Sequence, residues 1–192
     1  YNGGYFFTAH QYDYGGYFGW GTGSNPTLTS TDYHDYPTFD DWGDHIAGGW
    51  RTLTHDEWYY VIYGRADASA KRGAARVCGV PGIVLLPDNF SGGRFTAGFF
   101  SAYTYSANVY DASSWSGMEA AGAVFLPVAG LRYGTEEFYS VGVDGFYWSS
   151  TPYYVDGAYV MLIIGYDAVY EVSDYAGRHR GYGHSVRLVQ DI

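Results

Sequence analysis

Hydrophobic residues occur in short runs along the chain, and polar, glycine-rich segments separate these runs. A short apolar run between turn residues is typical of a strand buried in a protein core. Two of the runs stop at Pro87 and Pro127, which lack an amide hydrogen and therefore do not extend the ladder of a central strand. The pattern predicts five strands, at Gly82–Leu86, Ala123–Leu126, Phe146–Ser149, Tyr159–Ile164 and Ser185–Val189.

A first helix is predicted immediately after Thr54. Thr54 and Glu57 have the S/T-x-x-E spacing of a capping box, and Asp56 and Glu57 lie where the helix dipole favours negative charge. Gly64 is the predicted C-terminal stop. The residues of this segment at helical spacing are Trp58, Val61, Ile62 and Arg65.

A second helix is predicted around Ser113 to Ala121. Ser113 is its expected N-cap, and Gly122 its expected end. Trp115 and Met118 are expected to face the core. Two helices followed by strands and long loops are typical of an α+β protein.

The first 50 residues are rich in Gly, Tyr, Asp and Thr, so we expect a loop-rich N-terminal part there, 1–50, with one or two short strands. Its aromatic side chains are expected to hold these loops against the core. A length of 192 residues suits one domain that spans 1–192. The loop aromatics are Phe18, Trp20, Phe39 and Trp42.

Tyrosine and glycine dominate the composition, with 23 and 28 residues. Tyrosine supplies a large contact area at low rotamer cost, and glycine and serine supply adaptable backbone, a mixture typical of antibody-like binding surfaces. A β-rich fold with aromatic strands and glycine turns has the same composition. Composition therefore leaves both interpretations open.

The net charge is −10, and Lys71 is the one lysine. Binding to phosphate backbones or to anionic membrane surfaces requires clustered basic residues, so we expect neither nucleic acid nor a lipid surface as a partner. No apolar run has the length of a membrane-spanning helix, so we expect no membrane span.

Most residues with reactive side chains are better explained by structure than by chemistry. Cys78 is the single cysteine, so an intrachain disulfide is excluded, and we expect a small buried hydrophobic residue at an apolar strand end. The acidic stretch 40–45 is expected to be a solvated loop rather than a Ca²⁺ site, because the EF-hand spacing is missing. His55 lies in the first turn of a helix without HExxH spacing, and His179 and His184 are expected to be exposed.

Six motifs occur in order along the chain and resemble those of one family. The set resembles the variable proteins of diversity-generating retroelements in gut Bacteroidales and their phages. The motifs are FGWGTG at 18–23, WRTLTHDEW at 50–58, GVPGIVLLPDNF at 79–90, MEAAGAVFLPVAGLRYG at 118–134, YWSSTP at 147–152 and SVRLV at 185–189.

This resemblance implies a fold and a source of variation. The fold is C-type-lectin-like, of the branch similar to formylglycine-generating enzymes, with two helices packed on a small antiparallel sheet and long ordered loops. In the family, an error-prone reverse transcriptase mutates template adenines. Asparagine codons of the template can then become Tyr, Ser, Asp, His, Gly, Val, Ile, Leu, Ala, Phe, Arg and a few others, but not Lys, Gln, Glu, Met or Trp. Residues 153–184 lack Lys, Gln and Trp, and only Met161 and Glu171 fall outside the permitted set.

The resemblance also divides the C-terminal region into fixed and diversified positions. The fixed positions are Trp148, Ser149, Ser150, Thr151, Pro152, Ala158, Tyr159, Met161, Ile163, Arg180, Gly183 and Ser185 to Val189. The diversified, ligand-binding positions within 146–184 are Phe146, Tyr153, Tyr154, Asp156, Gly157, Val160, Leu162, Ile164, Tyr166, Asp167, Ser173, Tyr175, Ala176, Gly177, Arg178, His179, Tyr182 and His184.

The apolar run AYVMLII at 158–164 is where the two interpretations differ. Hydrophobicity alone predicts a strand buried on both faces. The resemblance instead divides the run by parity, because alternate side chains of a strand point to opposite faces. We then expect Tyr159, Met161 and Ile163 to face the core, and the residues between and after them to face outward.

The resemblance implies a non-enzymatic binding protein. We expect it to need no cofactor and no metal, and to be displayed as a monomer, with oligomers left open, on a cell surface or a phage virion. Its partner would be an unknown protein or cell-surface ligand. The alternatives are a formylglycine-generating-type oxidase, a metal-dependent lectin or a structural virion protein. A lone cysteine argues against the oxidase, and the EPN, QPD and WND calcium motifs of lectins are absent.

Overall fold

The computed structural model describes residues 39–90, 105–106, 108–133, 137–153, 157–164, 169–171, 178–179 and 182–191. These residues form a mixed α+β structure, which confirms the predicted class. The expectations for Phe18, Trp20 and the rest of the first 38 residues lie outside the described residues. Among the described residues, no helix is long and apolar enough to cross a membrane.

The first helix, α1, spans His55–Tyr59 and continues as one π-helical turn over Tyr60–Gly64. The Thr54 hydroxyl accepts a hydrogen bond from the Glu57 amide at 3.2 Å, and the Glu57 carboxylate accepts one from the Thr54 amide at 2.8 Å. The predicted capping box is therefore confirmed. The π turn, which the sequence pattern does not predict, closes with a hydrogen bond from the Arg65 amide to the Tyr60 carbonyl.

The second helix, α2, spans Ala112–Ala120, and its N-cap is Asp111 rather than the predicted Ser113. Asp111 is the N-cap because its carboxylate accepts a hydrogen bond from the Ser114 amide at 2.8 Å. The helix ends at Ala120, and Gly122, which follows the C-cap Ala121, has the left-handed φ of 91° that is typical of a residue terminating a helix. Trp115 and Met118 are buried, as predicted.

Twelve short strands form four sheets in the described residues. One sheet has the order β4-β2-β3-β5, and in another β9 pairs with β8 on one edge and with β10 and β11 on the other. Two-stranded sheets pair β1 with β12 and β6 with β7. The strands are β1 Trp50–Thr52, β2 Arg72–Val77, β3 Val80–Leu85, β4 Val109–Tyr110, β5 Val124–Pro127, β6 Leu131–Tyr133, β7 Glu137–Tyr139, β8 Gly145–Tyr153, β9 Gly157–Ile164, β10 Val169–Glu171, β11 Arg178–His179 and β12 Leu188–Gln190.

Four of the five predicted strands are present as β3, β5, β8 and β9. The fifth is correct only at its end, because β12 begins at Leu188 and Ser185 forms an isolated bridge to Tyr147. The sequence pattern misses β2 altogether, since Gly73, Ala74 and Ala75 do not form a recognisable apolar run.

The prediction of a buried Cys78 is wrong. Cys78 and Gly79 form the two-residue turn between β2 and β3, with left-handed φ angles of 51° and 84°. A turn with two left-handed residues matches the twist of a hairpin and places its side chains at the tip. The Cys78 thiol is consequently exposed.

The core consists of three clusters of buried side chains. The first packs Trp58 of α1 and Ile62 of the π turn against Tyr147 and Ile163 of the β8–β9 pair. The second surrounds Trp148 on the opposite face of β8, and the third packs α2 against β2 and β3. In the second cluster, Phe39 packs edge-on against buried Trp42 at 5.6 Å. The expectation that these two loop aromatics contact the core is therefore confirmed.

Candidate functional site

β8 anchors the region of the predicted binding positions to the rest of the protein. Tyr147 and Trp148 have no exposed surface. The Tyr147 hydroxyl donates a hydrogen bond to the Pro127 carbonyl at 2.6 Å, and the Trp58 indole donates one to the Trp148 carbonyl at 3.2 Å. Burial raises the pKa of Tyr147 far above its usual value, so this hydroxyl keeps its proton and remains a donor.

β9 lies at the centre of its sheet and pairs with β8 in a register that sets the face of each position. Ile163 lies opposite Gly145, and Met161 lies opposite Tyr147. Residues directly opposite each other share a face, so Met161 lies on the face of Tyr147. Ile163 is fully buried there, which confirms its predicted core position. A Cβ on Gly145 would lie 3.0 Å from the Ile163 side chain and 3.2 Å from the Pro127 carbonyl oxygen, so a larger residue here would require its neighbours to shift.

The other face of β9 carries the even-numbered positions of AYVMLII. Val160 lies opposite Trp148, and Leu162 lies opposite Phe146. On β8 this face is covered by the cluster around Trp148 rather than open to solvent. The exposure of the side chains at 160, 162 and 164 lies outside what the structure describes, so their outward orientation stays a prediction.

Three predicted binding positions meet in one row at the end of the sheet where β8 finishes. Tyr153 lies opposite Gly157, and His179 lies opposite Gly157 on the other edge of β9. These residues come from three different strands and are brought together by the register alone. Tyr153 is half-buried, so part of its ring reaches the surface.

The N-terminus of α1 supports this end of the sheet. The His55 amide donates a hydrogen bond to the Thr151 hydroxyl at 3.0 Å, two residues before Tyr153. The β8–β9 register shifts between Trp148 and Pro152, and such irregularities commonly redirect the end of a strand. A fixed helix terminus and a bulged strand therefore set the position of the row.

An ion-pair network attaches α1 to the C-terminal strand. The Arg51 guanidinium donates hydrogen bonds to Glu57 at 2.6 and 2.8 Å and to Asp191 at 2.8 and 3.1 Å. The hydrogen bond from Arg51 is the main reason that the pKa of Glu57 lies below its usual value. Arg51 thus joins β1, α1 and the end of β12.

The predicted exposure of Phe146 and His184 is wrong. Phe146 is 5% exposed and His184 is 0% exposed. Their rings stack at 5.2 Å with 15° between the planes, and His184 also contacts Trp148 at 4.3 Å. The cause is a backbone pairing: the Ser185 amide donates to the Phe146 carbonyl, and the Trp148 amide donates to the Ser185 carbonyl. This pairing places residue 184 against the β8 face.

Tyr182 is half-buried and contacts the His184 ring edge-on at 6.1 Å. Tyr182 therefore lies at the edge of the buried cluster, next to the surface.

Only the backbone is described for six predicted positions. These are Gly157, Val160, Leu162, Ile164, Arg178 and His179. Eight further predicted positions lie outside the described residues. These are Tyr154, Asp156, Tyr166, Asp167, Ser173, Tyr175, Ala176 and Gly177.

The acidic stretch 40–45 has a structural role. The Asp41 carboxylate caps the 3-10 turn Trp42–His45 through the Gly43 amide and also accepts hydrogen bonds from the amide and hydroxyl of Thr52. His45 pairs with Asp40 at 2.9 Å. Within the described ranges, no group of three or more His, Cys, Asp and Glu side chains is placed to hold a metal ion.

Three exposed tyrosines on α1 and its π turn were not predicted as functional. Tyr59, Tyr60 and Tyr63 alternate with buried Trp58 and Ile62 in the sequence. Helical spacing identifies the buried residues, and it also indicates that the tyrosines next to them in sequence lie on the outer face. The exposed tyrosines could therefore have been predicted from the helical spacing of the sequence.

Comparison with known proteins found no matching protein-family model, curated protein or solved structure.

Proposed function

We propose that this chain is a ligand-binding variable protein with a C-type-lectin-like fold. Retroelement diversification would vary its surface at the Tyr153 end of the β9 sheet, and that surface would recognise a protein or cell-surface ligand. The protein would be displayed on a cell surface or a phage virion. The observation that carries the proposal is the row formed by Tyr153, Gly157 and His179 on three strands.

The burial of three positions that are expected to be fixed supports this proposal. Trp148, Ser149 and Ile163, all expected to be fixed, are at most 1% exposed. Substituting such residues would open cavities or leave polar groups unpaired, at a cost of a few kcal/mol each. Diversification is compatible with folding only where the side chain does not support the core, as at half-buried Tyr153 and Tyr182.

The chemistry of the predicted surface suits recognition without catalysis. Tyrosines place a rigid ring and a hydroxyl at the surface, so they bury apolar area and also form hydrogen bonds. Interfaces commonly derive most of their affinity from a few such aromatic residues. Tyr153 and Tyr182 are therefore the two described residues that we expect to contact the ligand.

The burial of Phe146 and His184 makes the proposed surface smaller than the sequence suggested. Phe146 belongs to the cluster around Trp148, and the His184 ring contacts both of these side chains, so neither Phe146 nor His184 is accessible to a ligand. The proposed binding region therefore runs from Tyr153 to Tyr182.

A variant in which five predicted surface tyrosines are replaced by serine tests this proposal. Binding is measured in a screen against gut bacterial surfaces, and stability is measured by thermal melting. We expect the variant to lose every ligand that the native protein captures while its melting temperature falls by only a few degrees. The five residues are Tyr153, Tyr154, Tyr166, Tyr175 and Tyr182.

A matched control replaces the buried Tyr147 with serine, which should lower the melting temperature steeply. If the five-tyrosine variant melted as early as this control, the five tyrosines would be core residues and the proposed surface would be lost. Retention of all captured ligands by a stable variant would also contradict the proposal.

A further inference from the structure

Three tyrosines outside the predicted diversified region form a second exposed aromatic surface. Tyr59, Tyr60 and Tyr63 are 51%, 54% and 41% exposed. The rings of Tyr59 and Tyr63 contact each other at 5.5 Å. We call these residues, together with Asp56, the tyrosine patch. Its position on α1 and the following π turn makes it independent of any diversification between 146 and 184.

The inner face of this segment fixes where the patch points. Trp58 and Ile62 have 1% and 0% exposure and pack into the first core cluster. The tyrosines next to them in sequence therefore lie on the opposite side. The π turn places Tyr60 and Tyr63 beyond the end of α1, and such turns are frequent at functional sites.

Near the patch a carboxylate is exposed, whereas the cationic side chains are held by hydrogen bonds within the chain. The Asp56 side chain is 96% exposed, and one of its carboxylate oxygens pairs with the His55 ring at 2.9 Å. The Arg65 side chain is only 8% exposed, and its guanidinium donates to the carbonyls of Val61, Leu86 and Lys71. The Lys71 side chain is 17% exposed and donates to Asp88 at 2.9 Å.

One tyrosine of the patch already binds a guanidinium within the chain. The Arg72 guanidinium carbon lies 4.6 Å from the centre of the Tyr63 ring. This distance is within the range of a cation–π contact. The half-exposed rings of Tyr59 and Tyr60 present the same chemistry to solvent. A net charge of −10 further favours a basic partner and opposes association with a second copy of this chain.

We propose that the tyrosine patch is a docking surface for an arginine- or lysine-bearing segment of a protein partner. The cationic side chains of that segment lie over Tyr59 and Tyr60, and Asp56 pairs with one of them. Tyr63 supports Tyr59 from the side while its own ring holds Arg72.

A charge-neutral double variant, Tyr59→Ser with Tyr60→Ser, tests this proposal. The probe is a short fluorescein-labelled peptide of alternating glycine and arginine, and its binding is followed by fluorescence anisotropy. Because an exposed cation–π contact contributes about two- to five-fold in affinity, loss of two contacts should weaken binding about five-fold or more. The net charge is unchanged, so the weakening would report the rings.

Two matched variants make the result specific. The Tyr59→Phe, Tyr60→Phe variant keeps both rings, and we expect the probe to bind it within about two-fold of the native protein. Tyr139→Ser removes an exposed tyrosine from β7 and should likewise leave the Kd unchanged. A native melting temperature of the double serine variant establishes that it is folded. If it is not, the Asp56→Asn variant provides the readout, and we expect weaker binding there.

The proposal would be overturned by an unchanged Kd for the folded serine variant, or by an equal loss of affinity in Tyr139→Ser. A matched peptide of alternating glycine and glutamine should not bind. If it bound as well as the arginine peptide, the patch would recognise a neutral ligand, and the assignment of a basic partner would be wrong.

Discussion

His184 is the residue whose environment differs most from its local sequence. It follows Tyr182 and Gly183 in a polar segment, which predicts exposure, yet its ring is buried against Phe146 and Trp148. The contact depends on a pairing between Ser185 and β8 that no local pattern reveals. Long-range pairing of this kind is where prediction from a single sequence fails.

Replacing His184 with serine should destabilise the protein by about 2–4 kcal/mol. The physical reason is the cavity left between Phe146 and Trp148, as in other large-to-small core substitutions. Urea denaturation measures this difference. A loss below about 0.5 kcal/mol, typical of surface positions, would contradict the burial of His184.

At the scale of elements, α1 shows how local chemistry determines a helix. The capping box of Thr54 and Glu57 is predicted from the sequence and is present in the structure. β2 shows the opposite case, because its small residues Gly73, Ala74 and Ala75 form a strand only through pairing with β3. The π turn after Tyr59 likewise has no sequence signal that we recognise.

The Arg51–Glu57 pair predicts a pH dependence for the α1 end of the fold. The folded-state pKa of Glu57 is lowered, chiefly by its hydrogen bond from Arg51. Its contribution to stability is therefore present above the unfolded pKa of about 4.3, and it is lost as the pH falls through the lower folded-state pKa.

Replacing Glu57 with glutamine should remove this titration. The free energy of unfolding, measured in urea between about pH 6 and pH 3, should fall less steeply with acidification in the variant than in the native protein. Parallel profiles would show that the Arg51 interaction does not stabilise the ionised form of Glu57.

The β2–β3 hairpin gives a second element-scale prediction. Cys78 has a φ of 51°, a conformation that asparagine adopts more readily than cysteine, and Asn-Gly is a favoured pair in this type of turn. The Cys78→Asn variant should therefore be more stable by up to about 1 kcal/mol.

The matched Cys78→Val variant should be less stable than the native protein, because a β-branched residue is disfavoured at positive φ. Both free energies are measured by urea denaturation. If valine stabilised the protein and asparagine destabilised it, Cys78 would be a buried hydrophobic residue, as the sequence suggested.

At the scale of the whole molecule, the first core cluster lies between α1 with its π turn and the β8–β9 pair. The Tyr153 end of the sheet places positions from β8, β9 and β11 in one row. The class of the fold follows from hydrophobic patterning and from caps. The membership of the candidate site does not, because the strand register places both Tyr153 and His179 opposite Gly157, while Phe146 and His184 are buried. The tyrosine patch would then be a surface of constant sequence, separate from the diversified surface.

Sequencing of many copies of this gene from its source population tests the central claim most directly. The account predicts that amino-acid differences cluster at codons between Tyr153 and Tyr182, follow the pattern of adenine substitution, and spare Trp148, Ile163 and His184. Differences spread evenly along the chain, or found as often at Trp148 and Ile163 as at Tyr153, would contradict a diversified surface on a fixed core.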